Sequence, residues 1–427
     1  MELPDGFEFG LVETDEEVEE LLKFHSIVHP DDDVEELRRQ IDHLPGFERE
    51  MNYYIRDLDK GHIVTALNSI PSIWNYEDIP LRNLELGWVG TLKEYRRRGL
   101  NKALYTHFDN LLLSGNYDIS TIQGIPYYYR QFGYDFVIPM DYAVWTRTNQ
   151  LQPFDEKKPP EYMKLNIRLA EKKDIPSMME LFDELNQGLL VYVPRSQELW
   201  EVQETLKRQS ENEFQTYVLL DSSKIIGYFR LVRNIKKDSS PNQSTMKVIE
   251  SSIPSYNGVL CALQFLYAEA LKDDISLIGS QGPSFNTLSR VMENISETGK
   301  VWWKYQVRIP NMVGFLEKIA PVLERRLNGT MFEGLTYDVI MNTFQNCYSM
   351  KFSTGTIVDI SDLGPQQVNE NQAFRAPPKD LVRLILGAYN IKEIEQNNID
   401  FIVRGEVRLI VETLFPKKES SVYMYFC

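Results

Sequence analysis

Val89-Gly90-Thr91-Leu92-Lys93-Glu94-Tyr95-Arg96-Arg97-Arg98-Gly99-Leu100-Asn101 joins an apolar stretch, Leu84 to Thr91, to a segment with helical apolar spacing from about Gly99 to Leu113. The pattern predicts strand, arginine-rich turn, helix. The first N–H groups of such a helix have no partner within it, and its dipole favours negative charge. Gly99 lets a ligand come close to the backbone, and Arg96, Arg97 and Arg98 add guanidinium groups. The turn is therefore a candidate phosphate or pyrophosphate site. A basic run alone is usually solvated surface, so what gives this one meaning is its place between a strand and a helix.

The surrounding segments predict a mixed α/β unit. Residues 15 to 28 place Val18, Leu21, Leu22 and His25 at helical spacing behind an acidic first turn. MNYYIRD and HIVTALNSI flank Leu58-Asp59-Lys60-Gly61, a strand–turn–strand signal, and a further strand is predicted near Ser120 to Gly124. Residues 149 to 164 are polar and proline-bearing, and they predict a linker. Beyond them the opening pattern recurs at 167 to 185 and again at 215 to 232. Tyr256 to Leu263 repeats Tyr95 to Leu104 without the arginines, matching Gly99, Ala103 and Leu104 with Gly258, Ala262 and Leu263. From about residue 306 the character changes. Met312, Phe315, Leu316, Ile319, Val322, Leu323 and Leu327 share one helical face, which reads as core rather than a lipid tunnel, and short strands and later helices follow.

The chain has 427 residues, enough for two or three domains, with 46 basic and 62 acidic side chains and a formal net charge of −16. That balance disfavours nucleic acid and favours a cationic small molecule as partner. Cys261, Cys347 and Cys427 make no disulfide framework and no zinc spacing, and His25, His29, His43, His62 and His107 are scattered, so no metal is expected. His29-Pro30-Asp31-Asp32-Asp33 reads as a solvated loop. No leader-like or membrane-spanning run is seen, and the expected location is the cytoplasm, without membrane association.

Arg96-x-x-Gly99-x-Asn101 after a strand resembles the acetyl-CoA pyrophosphate loop of the GNAT N-acetyltransferase superfamily, with Asn101 where that family usually has Gly or Ala. Tyr128-Tyr129-Arg130-Gln131-Phe132-Gly133-Tyr134 resembles the same family's aromatic-Tyr-x-x-x-Gly-aromatic segment. The resemblance implies that Val89, Gly90, Thr91, Arg96, Arg97, Arg98, Gly99, Leu100 and Asn101 bind acetyl-CoA as co-substrate. It also implies backbone amides near Val89 and Thr91 for the pantetheine arm and oxyanion, and Tyr129 as proton donor to the departing thiolate. Tyr127 and Tyr128 read as an aromatic packing cluster. Glu85, eleven residues before Arg96, stands where some histone-type members carry a glutamate base; an outward residue in a salt bridge is the other reading.

The whole layout is similar to the enhanced intracellular survival (Eis) acetyltransferases. The resemblance implies α/β and α+β architecture: two tandem GNAT-like mixed-sheet domains, 1–150 catalytic and 165–305 degenerate, then a sterol-carrier-protein-like α+β domain, 306–427. In that family the terminal carboxylate is the base and the assembly is a hexamer; here the role would fall to Cys427, where members commonly end at an aromatic residue. The activity so implied is direct acetyl transfer to a primary amine of a cationic small molecule or a lysine side chain. A protein lysine or N-terminal acetyltransferase with Glu85 as base, and a non-catalytic acyl-CoA-sensing module, stay open.

Overall fold

The computed structural model describes residues 3–151, 164–206, 213–234, 244–282, 286–296, 299–365 and 373–422. The first unit runs β1 (Phe7–Leu11), α1 (Asp15–Val28), α2 (Val34–His43), β2 (Asn52–Asp57), β3 (His62–Tyr76), β4 (Ile79–Thr91), α3 (Leu100–Ser114), β5 (Ile119–Ile122) and β6 (Asp135–Arg147). The second runs β7 (Asn166–Leu169), α4 (Ile175–Asn186), β8 (Val191–Tyr192), α5 (Gln197–Leu206), β9 (Phe214–Asp221), β10 (Lys224–Asn234), β11 (Thr245–Ser252), α6 (Tyr256–Lys272), β12 (Leu277–Gly282), α7 (Thr287–Glu293) and β13 (Lys300–Arg308). The third comprises α8 (Met312–Leu327), β14 (Tyr337–Asn342), β15 (Cys347–Ser353), β16 (Thr356–Gly364), β17 (Ala373–Arg375), α9 (Pro378–Ile385), α10 (Ile391–Asn397) and α11 (Glu406–Leu414).

The first two units share one sheet, ordered β1-β2-β3-β4-β5-β13-β6-β12-β11-β10-β9-β7, with β8 paired to the end of β3. The crossing in this order is an exchange. Strand β13, the last of the second unit, lies antiparallel between β5 and β6 of the first, Gln306 opposite both Ile122 and Phe136. In return, Tyr142 to Arg147 of β6 pair with β12. Each unit therefore takes its closing hydrogen bonds from the other, and β13 runs across the boundary expected between residues 305 and 306. Sequence periodicity reports which face of a strand is apolar, not which strand lies beside it.

Local chemistry explains the elements that frame the first unit. Thr14 and Glu17 form a capping box at the start of α1, which buries Val18, Leu21, Leu22, Phe24 and His25 as its spacing predicts. Helix α2 begins at an Asp33 cap and buries Leu37, Gln40 and Ile41, so the solvated reading of the preceding acidic loop stops short of a helix that is present. The predicted strand 84–91 begins five residues earlier, and α10 joins the two expected late helices. Helix α8 buries Phe315, Leu316, Ile319, Val322, Leu323 and Leu327, and the third unit's core extends over Trp74, Ile138, Tyr305 and Val307 of the exchanged region. Its four strands form a separate sheet, β16-β15-β14-β17.

The repeat is real in strand order but shifted at its most informative point. Gly99 is the N-cap of α3, whereas Gly258 lies three residues inside the Ser255 cap of α6, whose hydroxyl accepts from the Gly258 N–H. The second unit's helix start is satisfied by its own side chain, and the first unit's is not.

Gln306 is fully buried, and its amide donates to the Gly124 carbonyl at 2.7 Å, tying the exchanged strand to the first unit. Gln306→Leu should cost about 1–3 kcal/mol by leaving that carbonyl without its partner. Denaturant unfolding measures this, and a midpoint equal to wild type would contradict the exchange as a stabilising element.

Candidate active site

The site begins where β4 leaves β5. Their parallel pairing covers Asn83, Leu84 and Glu85 only, against Ile119, Ser120 and Thr121. Beyond Glu85 the two strands part, so β4 continues to Thr91 with one edge turned to a cleft. On the other edge, Asn68 pairs with Gly87 and Ala66 with Gly90, so β4 carries one extra residue. Trp88 takes a positive φ of 47° at this bulge, a conformation that costs a bulky side chain of order 1 kcal/mol or more. The indole is held there by Gln40, which accepts from its Nε1 at 3.2 Å, and by the edges of His25 and His29. The bulge redirects the backbone at Val89, which is one of the positions singled out from sequence.

Past Thr91 the chain is pinned by Tyr95. Its buried ring meets Phe7 and His62 edge-on, and its hydroxyl donates to Asp57 at 2.7 Å, anchoring the turn to the β2–β3 hairpin. Arg96, Arg97 and Arg98 are exposed, and none is ion-paired among the described residues. Arg98 lies over the Tyr95 ring, and Arg96 donates to the Thr91 carbonyl. Gly99 has φ 80°, no side chain caps the helix, and the space its missing Cβ would take is open. Leu100 is buried as the helix's first anchor, with Asn101 partly exposed beside it. Guanidinium groups and uncapped amides thus converge on open space, the arrangement an anion needs.

The aromatic segment lies across the cleft. Tyr129 is 6% exposed, on a short 3₁₀ turn between Tyr127 at φ 71° and Gly133 at φ 87°. Its ring lies so close to the Gly124 α-carbon that a Cβ there would sit 2.2 Å from it. Burial and the neighbouring Tyr128 hydroxyl push its own hydroxyl well above the usual tyrosine range, so it stays protonated. The expected packing role holds for Tyr128, whose ring meets Tyr129 and Phe132 edge-on, and is corrected for Tyr127, which is 77% exposed and lies under Arg130.

Glu85 stands at the fork of β4 and β5. Desolvation raises its carboxyl to about 7; an amide donated by Gln123 at 3.4 Å opposes this, and the charge of Glu36 on α2 adds to it. No ion pair to Glu85 occurs among the described residues, which leaves a partly exposed carboxylate raised by desolvation rather than an outward salt bridge. Sequence reasoning missed Glu36, Gln123 and Trp88. The 3.6-residue spacing of Val34, Leu37 and Ile41 behind Asp33 was the available signal for Glu36. Cys427 lies outside the described residues. A separate cavity of about 500 Å³ opens where the three units meet, lined by Ile138, Met140, Lys304, Tyr389 and Lys418 among others; no candidate catalytic residue lines it. No group of potential metal ligands occurs among the described residues, and none of their helices is long and apolar enough to cross a membrane.

Residues 13–137 match the family model of the acetyltransferase (GNAT) domain. A search of curated proteins returns no match. Among solved structures, the chain is similar to a GCN5-related N-acetyltransferase from Anabaena variabilis at 15% identity and TM-score 0.69, covering 98% of this chain and 100% of that one. It is similar to a conserved protein from Enterococcus faecalis named as a probable N-acyltransferase, at 14% identity and TM-score 0.73, covering 98% and 99%. It is also similar to Eis1 from Mycobacterium abscessus, at 13% identity and TM-score 0.63, covering 98% and 100%. At these identities the likeness is one of fold, and it spans all three units.

Gly99→Ala forces an alanine into a left-handed conformation and puts a methyl group in the open space above the helix start. Coenzyme A binding, measured by calorimetry, should weaken about tenfold, or roughly 1.4 kcal/mol. Unchanged affinity would remove this turn from the binding site.

Proposed function

We propose that the chain is an acetyl-CoA-dependent N-acetyltransferase that transfers the acetyl group directly to a primary amine of a cationic small molecule or a lysine side chain. The first unit is a GNAT acetyltransferase domain, which uses acetyl-CoA and acts on amine acceptors. One observation carries the finer reading. Gln123 bonds to Glu85 and the next residue, Gly124, supports the ring of Tyr129, so a carboxyl near neutrality and a protonated hydroxyl flank the fork of β4 and β5.

In this reading the pyrophosphate sits on the start of α3 under Arg96, Arg97 and Arg98, and the pantetheine arm follows the open edge of β4 at Val89 to Thr91. Glu85 takes a proton from the acceptor's ammonium. The neutral nitrogen attacks the thioester carbonyl and the C–N bond forms; the C–S bond breaks as the thiolate takes the Tyr129 proton, and the second proton, shed by the new amide nitrogen, restores the Tyr129 hydroxyl. Glu36 and Glu85 give the cleft the charge that attracts a cationic amine.

The tail offers a second base. Ser421 bridges to Tyr192 in parallel, and Tyr192 pairs antiparallel with Asn75. The described chain therefore leaves Val422 heading along β3 toward Ile70, which pairs with Glu85. In the family resembled the terminal carboxylate is the base, a role that would here fall to Cys427. The other reading, acetylation of protein lysines or N-termini, takes Glu85 alone as base. Removing residues 423–427 separates the two, because only a tail-dependent base should be lost with the fold intact.

Tyr129→Phe should lower kcat by about 10²-fold or more while acetyl-CoA binding is retained. Stopped-flow thiol release gives kcat, calorimetry gives binding, and unchanged turnover would remove the assigned role. The carboxylate is the active form of Glu85, so kcat/KM should rise with pH through about 7 and lose that limb in Glu85→Gln. Stability moves in the opposite sense. The folded value is raised above the unfolded one, so folding is favoured while the group is protonated and weakened as pH rises through about 7. Glu85→Gln should therefore be slower, with a residual rate that shows no such limb, yet more resistant to urea than wild type at pH 8; equal resistance would show that the desolvated charge carries no cost.

A further inference from the structure

Strand β13 belongs to the second unit by sequence, yet its side chains finish the first unit's cleft. Tyr305 is 4% exposed, its ring edge-on to Trp74 of β3 at 5.4 Å. Its hydroxyl oxygen accepts a hydrogen bond from the Gln123 amide at 2.8 Å, and the same amide nitrogen donates to Glu85 at 3.4 Å. Gln306 fixes the adjoining carbonyls, donating to Gly124 and, at 3.4 Å, to Ile125. Arg308 then donates to the Tyr105 hydroxyl at 3.0 Å and pairs with Asp109, both on α3. Three residues of one strand thus grip β5, the turn below Tyr129, and the helix of the anion site.

We propose that Tyr305 is a positioning residue for the reaction of the first unit: by holding Gln123 it sets the orientation of the Glu85 carboxylate, so that the second unit supplies a working part of the active site. The proposal rests on Glu85 acting as base. A primary amide has two N–H bonds, and with one fixed on Tyr305 the other is left in the direction of Glu85. The second-unit residue reaches the reacting groups only through Gln123, so its removal should alter the base rather than abolish the chemistry. The groups facing Glu85 from the packed elements are Gln123, Glu36 on α2 and Tyr305 itself. Among the described residues none is a cation, so the Gln123 hydrogen bond is the stabiliser of the carboxylate that Tyr305 controls.

Tyr305→Phe keeps the ring on Trp74 and removes only the oxygen. The pH dependence of kcat/KM should show the acidic limb moved upward by about 0.5 pH unit or more, as the loosened Gln123 bond stabilises the carboxylate less. Gln123→Leu should move it the same way and at least as far, and Gln123→Glu should lose the limb's wild-type position altogether. KM for acetyl-CoA should stay within about twofold in Tyr305→Phe, which a general loosening of the fold would not allow. Circular dichroism and urea unfolding verify that the variants are folded. If Glu85→Gln abolishes the limb while Tyr305→Phe leaves it in place, the positioning role is overturned and the base assignment stands. If Glu85→Gln keeps the wild-type limb, the base assignment falls and takes the positioning role with it.

Discussion

The hydrogen bonds that seat β13 between β5 and β6 are the constraint on which the rest of the molecule depends. Strand β5 is four residues long, too short to hold β4, β6 and a turn in place by itself. With β13 on its outer edge it becomes an interior strand, and its inner edge can then release β4 after three paired residues without the sheet falling apart. The parting of β4 from β5 creates the cleft, so the exchange between units underlies the geometry of the candidate site. It also gives the third unit a surface to pack on, since Tyr305 and Val307 lie in the same buried cluster as Phe315, Leu316 and Ile319.

The second unit presents no matching uncapped helix start at the corresponding place among its described residues. Its helix α6 is capped by Ser255, and Glu250, beyond the last β11–β12 pair, is consumed by Arg195 and Arg230 in a buried network with Tyr228. The two arginines hold the Glu250 carboxyl at about 2, against the desolvation that raises Glu85 in the first unit. Two carboxylates carried by corresponding strands of the repeat are thus driven in opposite directions, one fixed as a structural charge and one left close to neutrality. The second unit's contribution lies in β13 rather than in a cleft of its own.

Much of the first unit was legible in the sequence because its signals are local. The capped, amphipathic 15–28 segment, the hairpin at Leu58 to Gly61, and the strand–turn–helix around Arg96 to Gly99 each depend on residues near one another in the chain. The roles of Tyr129 and Glu85 came from resemblance, and their surroundings did not. Gln123 and Tyr305 are 182 residues apart, and no periodicity predicts their contact. The exposure of Tyr127 follows from a positive φ that three consecutive tyrosines do not announce. The offset between Gly99 and Gly258 shows the limit of matching a repeat by composition: identical glycines perform different work when one is the cap and the other follows it.

The chemistry proposed for the fork of β4 and β5 is acetyl transfer to an amine. The most direct test is release of free coenzyme A thiol from acetyl-CoA, with polyamines, aminoglycosides and lysine-containing peptides offered in turn and the products weighed by mass spectrometry. Thiol release that depends on one amine class, with one acetyl group gained by that amine, is the expected result. Tight acetyl-CoA binding without turnover on any amine would contradict it and leave an acyl-CoA-sensing module in its place.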